Sequence, residues 1–87
     1  MVFEFDPDKS RSNKQKHGID FVEARHLWND PQRVEFVARF KDEERRGIIG
    51  VYQGKLWCGI HTTRGERIRL ISVRRARKHE EGIYNNS

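Results

Sequence analysis

The sequence holds a single cysteine, Cys58, among 87 residues, so no internal disulfide can form and no paired-cysteine metal knuckle can be built. A reduced, cytoplasmic chain is the expectation. Apolar residues are scarce too: 34% are hydrophobic while 36% are charged, against about 25% charged in ordinary globular domains. That shortage excludes a second core. A single domain over 1–87 is expected, of modest stability and with part of its surface completed by another chain. No hydrophobic run approaches the about 20 residues of a membrane span, and residues 1–6 lack the basic start and apolar stretch of an export signal. No membrane partner is expected. The chain also lacks GxSxG, GxxxxGK(S/T) and GxGxxG patterns, which leaves serine hydrolase, P-loop and dinucleotide readings without support. His26, His61 and His79 have no spacing that would join Cys58 in a zinc site, and neither metal nor other cofactor is expected.

What the chain does have is positive charge. Lysine and arginine number 18 against 13 aspartates and glutamates, giving a net +5 and a pI near 9.8. Such an excess favours polyanions through long-range attraction and counterion release, and makes nucleic acid the leading partner class. Nine aromatics, from Phe3 to Tyr84, are spread along the chain where a core can collect them, which is not the composition of a disordered tail.

Hydrophobic period orders the elements. Phe3 and Phe5 alternate with Val2, Glu4 and Asp6, which predicts a short first strand. Asp6-Pro7-Asp8 then starts a helix and Gly18 closes it. Between them stand Lys9, Arg11, Lys14, Lys16 and His17 with no large apolar residue, so this helix gives the core little. Asp20 and Glu23 make the aspartate form of a capping box, with Ile19 and Ala24 placed as a staple. Phe21, Ala24 and Trp28 form a stripe with Leu27 beside it, predicting a second helix that anchors the helical layer and stops at Asn29-Asp30-Pro31. From Val34 the period is two: Val34, Phe36, Ala38 and Phe40 predict a strand, and 41–44 a polar connection. Strands at 46–52 and 55–62 follow, joined at Gln53-Gly54, and a turn at Arg64-Gly65-Glu66 leads to 67–73. That last segment is apolar on both parities and is expected to be the central strand. The arginine- and glutamate-rich 74–84 reads as a helix. The fold class is α+β, a small antiparallel sheet with two N-terminal helices and a short C-terminal helix.

The densest basic run is Arg67, Arg69, Arg74, Arg75, Arg77, Lys78 and His79. Arginine forks match phosphate oxygens, and alternation sets Arg67 and Arg69 on one face, so a phosphate clamp and a solvated basic face are the two readings. In the last predicted helix Arg77, Glu80 or Glu81, and Tyr84 share one face. A guanidinium, a carboxylate and a phenol are the group types needed to cleave RNA without metal, as cation for the phosphorane, base for the 2′-hydroxyl and acid for the leaving oxygen. The same spacing serves intrahelical ion pairs, and it leaves both readings open. His17, at a helix C-terminus, is either a surface cap or a proton carrier. Trp28, Trp57 and Cys58 lie in apolar stretches and read as core.

The ordered set Phe5-Asp6, Lys9, Asn13, Lys16-His17-Gly18, Phe21, Ala24, Asp30-Pro31, Glu44-Arg45, Gly50, Thr62, Arg64-Gly65, Arg67-Ile68-Arg69, Ile71-Ser72, Arg74-Arg75-Ala76, Glu80 and Tyr84 resembles the BrnT family, toxins of type II toxin-antitoxin pairs. The resemblance implies a RelE-like ribonuclease that cleaves RNA without metal. It also implies neutralisation by a BrnA-like antitoxin, contact with operon DNA through that antitoxin, and a higher-order toxin-antitoxin assembly. Carried over by position, His17, Arg69, Arg74, Glu80 and Tyr84 form the expected catalytic set and Lys9 and Arg45 expected RNA contacts, to which the positive charges of Lys16, Arg67 and Arg77 are added as expected RNA-holding residues. Within the set, Glu80 or His17 is the expected base, Arg69 and Arg74 the phosphate contacts, and Tyr84 or His17 the acid. His61 stands where the family commonly has an aromatic, and could be an extra donor in the cleft or a residue facing the sheet. Glu81 stands where a second basic residue often follows, which lowers the expected RNA affinity. The competing function class is a non-catalytic nucleic-acid- or antitoxin-binding module, in which the same arginines only hold phosphates or an acidic segment.

Overall fold

The computed structural model describes residues 1–40 and 42–87. Strand β1 (Val2–Glu4) leads to helix α1 (Pro7–His17), the single turn α2 (Phe21–Ala24) and a 3-10 turn at Arg25–Asn29. Strands β2 (Val34–Phe40), β3 (Glu43–Tyr52), β4 (Lys55–Arg64) and β5 (Arg67–Arg75) follow, and helix α3 (Lys78–Asn85) ends the chain. The strands form one sheet in the order β1-β5-β4-β3-β2. β2 to β5 are an antiparallel meander, but β1 runs parallel to β5, with Val2 opposite Arg67 and Glu4 opposite Arg69. The sheet is therefore mixed, which corrects the all-antiparallel expectation, and β4 rather than β5 is its middle strand. Alternation of Phe3 and Phe5 fixes the face that β1 buries and carries no information on its direction.

The helix signals act as read. Asp6 accepts from the Asp8 N–H at 2.8 Å, and Gly18 takes the left-handed conformation, φ 84°, in which a side chain would be strained. Asp20 and Glu23 make the reciprocal capping box at 2.7 and 3.0 Å, with Ile19 and Ala24 fully buried beside it. The second helix, however, is one α-turn followed by a 3-10 turn. The tighter winding aligns Ala24 with Leu27 and lets Leu27 and Trp28 both reach the sheet.

Two other boundaries differ from expectation. Glu43 and Glu44, assigned to a polar connection, pair with Phe40 and Arg39 as the start of β3, because the backbone ladder extends irrespective of side-chain polarity at a hairpin end. Lys41, also placed in that connection, lies outside the described residues. Arg74 and Arg75, assigned to the C-terminal helix, belong to β5 opposite Cys58 and Trp57, and α3 begins only at Lys78 with Arg77 as its N-cap.

The core lies between the helices and one face of the sheet. Ile19, Phe21, Ala24, Leu27 and Trp28 pack on Ile48, Trp57, Leu70 and Val73. Phe3 and Phe5 meet Trp28 and Phe21 edge-on at 5.1 and 5.7 Å. Trp28, Trp57 and Cys58 are buried, as read from their surroundings. Gly50 lies where Leu27 crosses β3, and a Cβ there would make a tight 3.1 Å contact with the Leu27 carbonyl oxygen. Helix α1 adds hydrogen bonds rather than apolar surface. Ser10 Oγ accepts from the Phe21 N–H at 2.9 Å. Asn13 donates to the carbonyls of Ile19 and Val73, both at 2.8 Å, and accepts from the Val73 N–H at 3.2 Å. Its amide thus occupies the β5 edge beyond the end of β1, where backbone groups would otherwise be buried unpaired. Among the described residues no helix is long and apolar enough to cross a membrane.

Candidate functional site

Because side chains alternate along a strand, the residues between the core positions point to the other face of the sheet. Register places them in rows. Val34, Ile49, Cys58 and Arg74 form one row and Phe36, Gly47, Ile60 and Ser72 the next. Ala38 and Arg45, then Thr62, Arg69 and Glu4, continue the face, and Arg64 and Arg67 stand at its rim. A bulge between Ile60 and His61 lets Ser72 and Leu70 keep opposite faces despite their even spacing. α3 covers the first row, where Ile49 and Cys58 are buried, and the remaining rows are open.

Arg74 and Glu80 fix α3 to this face. The Arg74 Nη1 and Nη2 donate to the two Glu80 oxygens at 2.7 and 2.9 Å, a two-point fork. Glu80 also accepts from the Arg77 N–H at 2.7 Å and is only 5% exposed. The Arg74 fork, with the Arg77 amide and the Cys58 thiol, holds the Glu80 carboxyl down at about 2 against the opposing effect of burial. Burial in turn pushes the Cys58 thiol up to about 12, with the Glu80 hydrogen bond adding to the shift. Cys58 is therefore no nucleophile at neutral pH.

Tyr84 is engaged at the other end of α3. Its hydroxyl donates to Asp30 Oδ2 at 2.7 Å, and this bond, with burial, raises the phenol's pKa. Asp30 also accepts from the N–H groups of Gln32 and Val51 at 2.9 Å each. Burial alone would raise the Asp30 carboxyl, but these three hydrogen bonds and Arg33 outweigh it and leave it lowered.

The α1 residues meet the sheet at the β5 edge. Lys9, Asn13, Lys16 and His17 line a groove of about 540 Å³ with Ile71 and Ser72. His17 also borders a smaller depression of about 220 Å³ with Tyr52, Lys55, Trp57 and Arg75. Arg75 there holds its guanidinium 5.5 Å from the centre of the Trp57 ring. Lys9, Lys16 and His17 make no ion pair with any described residue.

The sequence-derived set is thus divided by the structure. Arg45, Arg67, Arg69 and Arg74 share the open face; Arg69 is held by Glu4 at 2.9 Å and Arg45 by Glu43 at 2.7 Å. Glu80 and Tyr84 come from α3 and are bonded to Arg74 and Asp30, while Arg77 caps that helix. Lys9, Lys16 and His17 lie around the β5 edge, next to Ser72. His61 is on the opposite, core face, 1% exposed and edge-on to Trp28 at 5.0 Å, so it does not enter this site. Burial pushes its pKa down, with Arg46 adding to that effect and Glu35 opposing it. Phe36 and Ser72 line these surfaces without having been singled out as ligands, whereas Arg75 belongs to the basic run read as a phosphate clamp; the alternation of Phe36 was visible, but its parity relative to the core was not. Among the described residues no three histidine, cysteine, aspartate or glutamate side chains converge as metal ligands.

No curated protein matches the chain significantly. A family model does: residues 5–80 match the ribonuclease toxin, BrnT, of type II toxin-antitoxin systems, so the chain belongs to the BrnT toxin family and is a ribonuclease toxin by that membership.

Proposed function

We infer that the chain is a RelE-like, metal-independent endoribonuclease in which an RNA 2′-hydroxyl attacks the adjacent phosphorus, leaving a cyclic phosphate and a 5′-hydroxyl. The observation that carries this reading is the Arg74 guanidinium, fixed on the open sheet face by a buried carboxylate. With Nη1 shared between Glu80 and the Arg75 carbonyl, the fork keeps its Nε–H and one Nη2–H on a single edge for phosphate oxygens. Arg69, steadied by Glu4, is the second phosphate contact. Positive charge placed where the phosphorane develops is worth more than charge that must reorganise to reach it.

The base assignment goes to His17 rather than Glu80. A carboxylate titrating near 2 with its lone pairs occupied is a weak proton acceptor, whereas His17 opens on a groove shared with Ser72, the same-face neighbour of Arg74. Glu80 then positions Arg74, Tyr84 positions α3 through Asp30, and the proton that His17 takes from the 2′-hydroxyl is matched by one that solvent water delivers to the leaving 5′-oxygen. Lys9 and Lys16 in the groove, Arg67 at the rim, Arg45 on the far row and Arg77 at the start of α3 hold the RNA backbone. A BrnA-like antitoxin completes the open face, carries the contact to operon DNA and nucleates a higher-order assembly. Incubation of the purified chain with naked RNA in EDTA, beside Arg74→Ala, tests the chemistry. Cyclic-phosphate ends from the unmodified chain alone are expected; EDTA-sensitive products with 5′-phosphates contradict the mechanism, and binding without scission moves the chain to the binding-module class.

A further inference from the structure

Phe36 stands on β2 with its side chain on the open face, directly across from Gly47. A Cβ built on Gly47 would fall 2.1 Å from the Phe36 Cζ and 2.5 and 2.6 Å from its two Cε atoms. The tip of the ring therefore lies across the Gly47 backbone, in space that every other residue type would fill. The glycine lets the ring lie down on the sheet, and the ring remains only half-buried there.

Its surroundings are those of a base platform. The row Phe36, Gly47, Ile60 and Ser72 has Arg74 in the row on one side and Arg45 and Arg69 in the row on the other. A strip that runs from the Phe36 ring over Gly47 and Ile60 to the polar Ser72, bordered on both sides by guanidiniums held in place by Glu80, Glu43 and Glu4, offers stacking at its aromatic end and phosphate contacts at the margins. The exposed Arg67 at the rim, without an ion pair to any described residue, adds net positive charge to the same face. Three strand spacings, about 14 Å, separate β2 from β5, so a base at Phe36 is a neighbour of the nucleotide at Arg74 and not the one being cut.

We propose that Phe36 is the base-stacking residue of this face, and that Gly47 is the backbone position that makes its ring available. The inference rests on the reading of the open face as the RNA site. It adds that this face takes an unpaired base beside its phosphate contacts.

The test uses the full chain and two uncleavable probes: a 2′-O-methyl adenine oligonucleotide, and a strand of equal length built from abasic spacers. Phe36→Leu is expected to weaken binding of the adenine strand about tenfold, the lower part of the range for one base-aromatic stack, and to leave the abasic strand unaffected. Phe36→Trp is expected to restore or exceed the original affinity, and Gly47→Ala to reproduce the Phe36→Leu loss. Melting curves of each variant separate these effects from misfolding, and Phe36→Trp guards against a merely structural role. Equal losses on both strands, or none on either, overturn the stacking inference, as does a Phe36→Leu chain that binds RNA normally but loses antitoxin. If the unmodified chain cleaves RNA while Phe36→Leu binds the adenine strand as before, the ribonuclease reading stands and stacking fails. If binding depends on Phe36 and on bases but no cleavage occurs, stacking stands and the chemistry fails.

Discussion

The two faces of one sheet are built from alternate residues of the same strands, yet they differ in almost every physical respect. Toward the helices, Ile48, Trp57, Leu70 and Val73 are buried against Phe21, Leu27 and Trp28. On the reverse, Arg45, Arg67, Arg69 and Arg74 surround a half-buried aromatic, and the short helix α3 closes one end over Ile49 and Cys58, tied down by the Glu80 carboxylate. The contrast teaches that period two lets an 87-residue chain put its apolar core on one parity and its anchored arginines on the other. The ends of α3 are the exceptions, since Glu80 and Tyr84 link the two tasks.

The largest expected effect breaks the closed face. Leu27→Ala removes a fully buried side chain and is expected to lower the unfolding free energy in urea by about 3 kcal/mol, while RNA cleavage per folded molecule stays unchanged. A parallel loss of cleavage would show that the faces are not separable. Glu80→Gln tests the link between them. It is expected to lower stability by about 2 kcal/mol, through loss of a charge-assisted fork, and to slow cleavage without moving the acid limb of its pH profile. Disappearance of that limb would instead return the base assignment to Glu80. Because Glu80 titrates near 2 when folded and in the ordinary carboxylate range when unfolded, its contribution is full above about pH 4.5 and is lost as pH falls toward 2. Acid unfolding curves that coincide for Glu80→Gln and the unmodified chain would contradict this.

Tyr84→Phe removes the hydrogen bond to Asp30 and is expected to cost about 1 kcal/mol, with the chemistry of the RNA ends preserved. If the variant instead abolishes scission at normal stability, Tyr84 is the acid. The smallest effect belongs to His61. Its folded pKa is depressed, so the unfolded chain takes up the proton first as pH drops below about 6.5, and stability present above that pH is lost below it. Replacement by phenylalanine is expected to flatten stability between pH 7 and 5, read from thermal melts, and an unchanged slope would place the titration elsewhere.

Much of this architecture was legible in local signals. Asp6, Gly18, Asp20 and Glu23 act within a few residues of themselves, so their spacing suffices to place the helix ends. What needed the structure were relations across distance. The parallel direction of β1 depends on where β5 ends up, and Asn13 bonds to Val73, 60 residues on. Arg74 and Glu80 were read as part of one helix, but they are a strand residue and a helix residue that face each other. In β2 the apolar residues Val34, Phe36 and Val37 occupy both parities, so sequence alone could not tell which parity met the core. The alternation placed Phe36 on a strand without saying which face it takes, and the register with Gly47 supplies that face.

The decisive measurement is the single-turnover rate of naked RNA cleavage in EDTA by the unmodified chain and by Arg74→Ala, each corrected for its folded fraction. Scission by the unmodified chain, at least about a hundredfold slower in the variant, is the expected result for a fixed guanidinium that stabilises the phosphorane. Equal rates per folded molecule would mean that the chemistry does not reside on the open face.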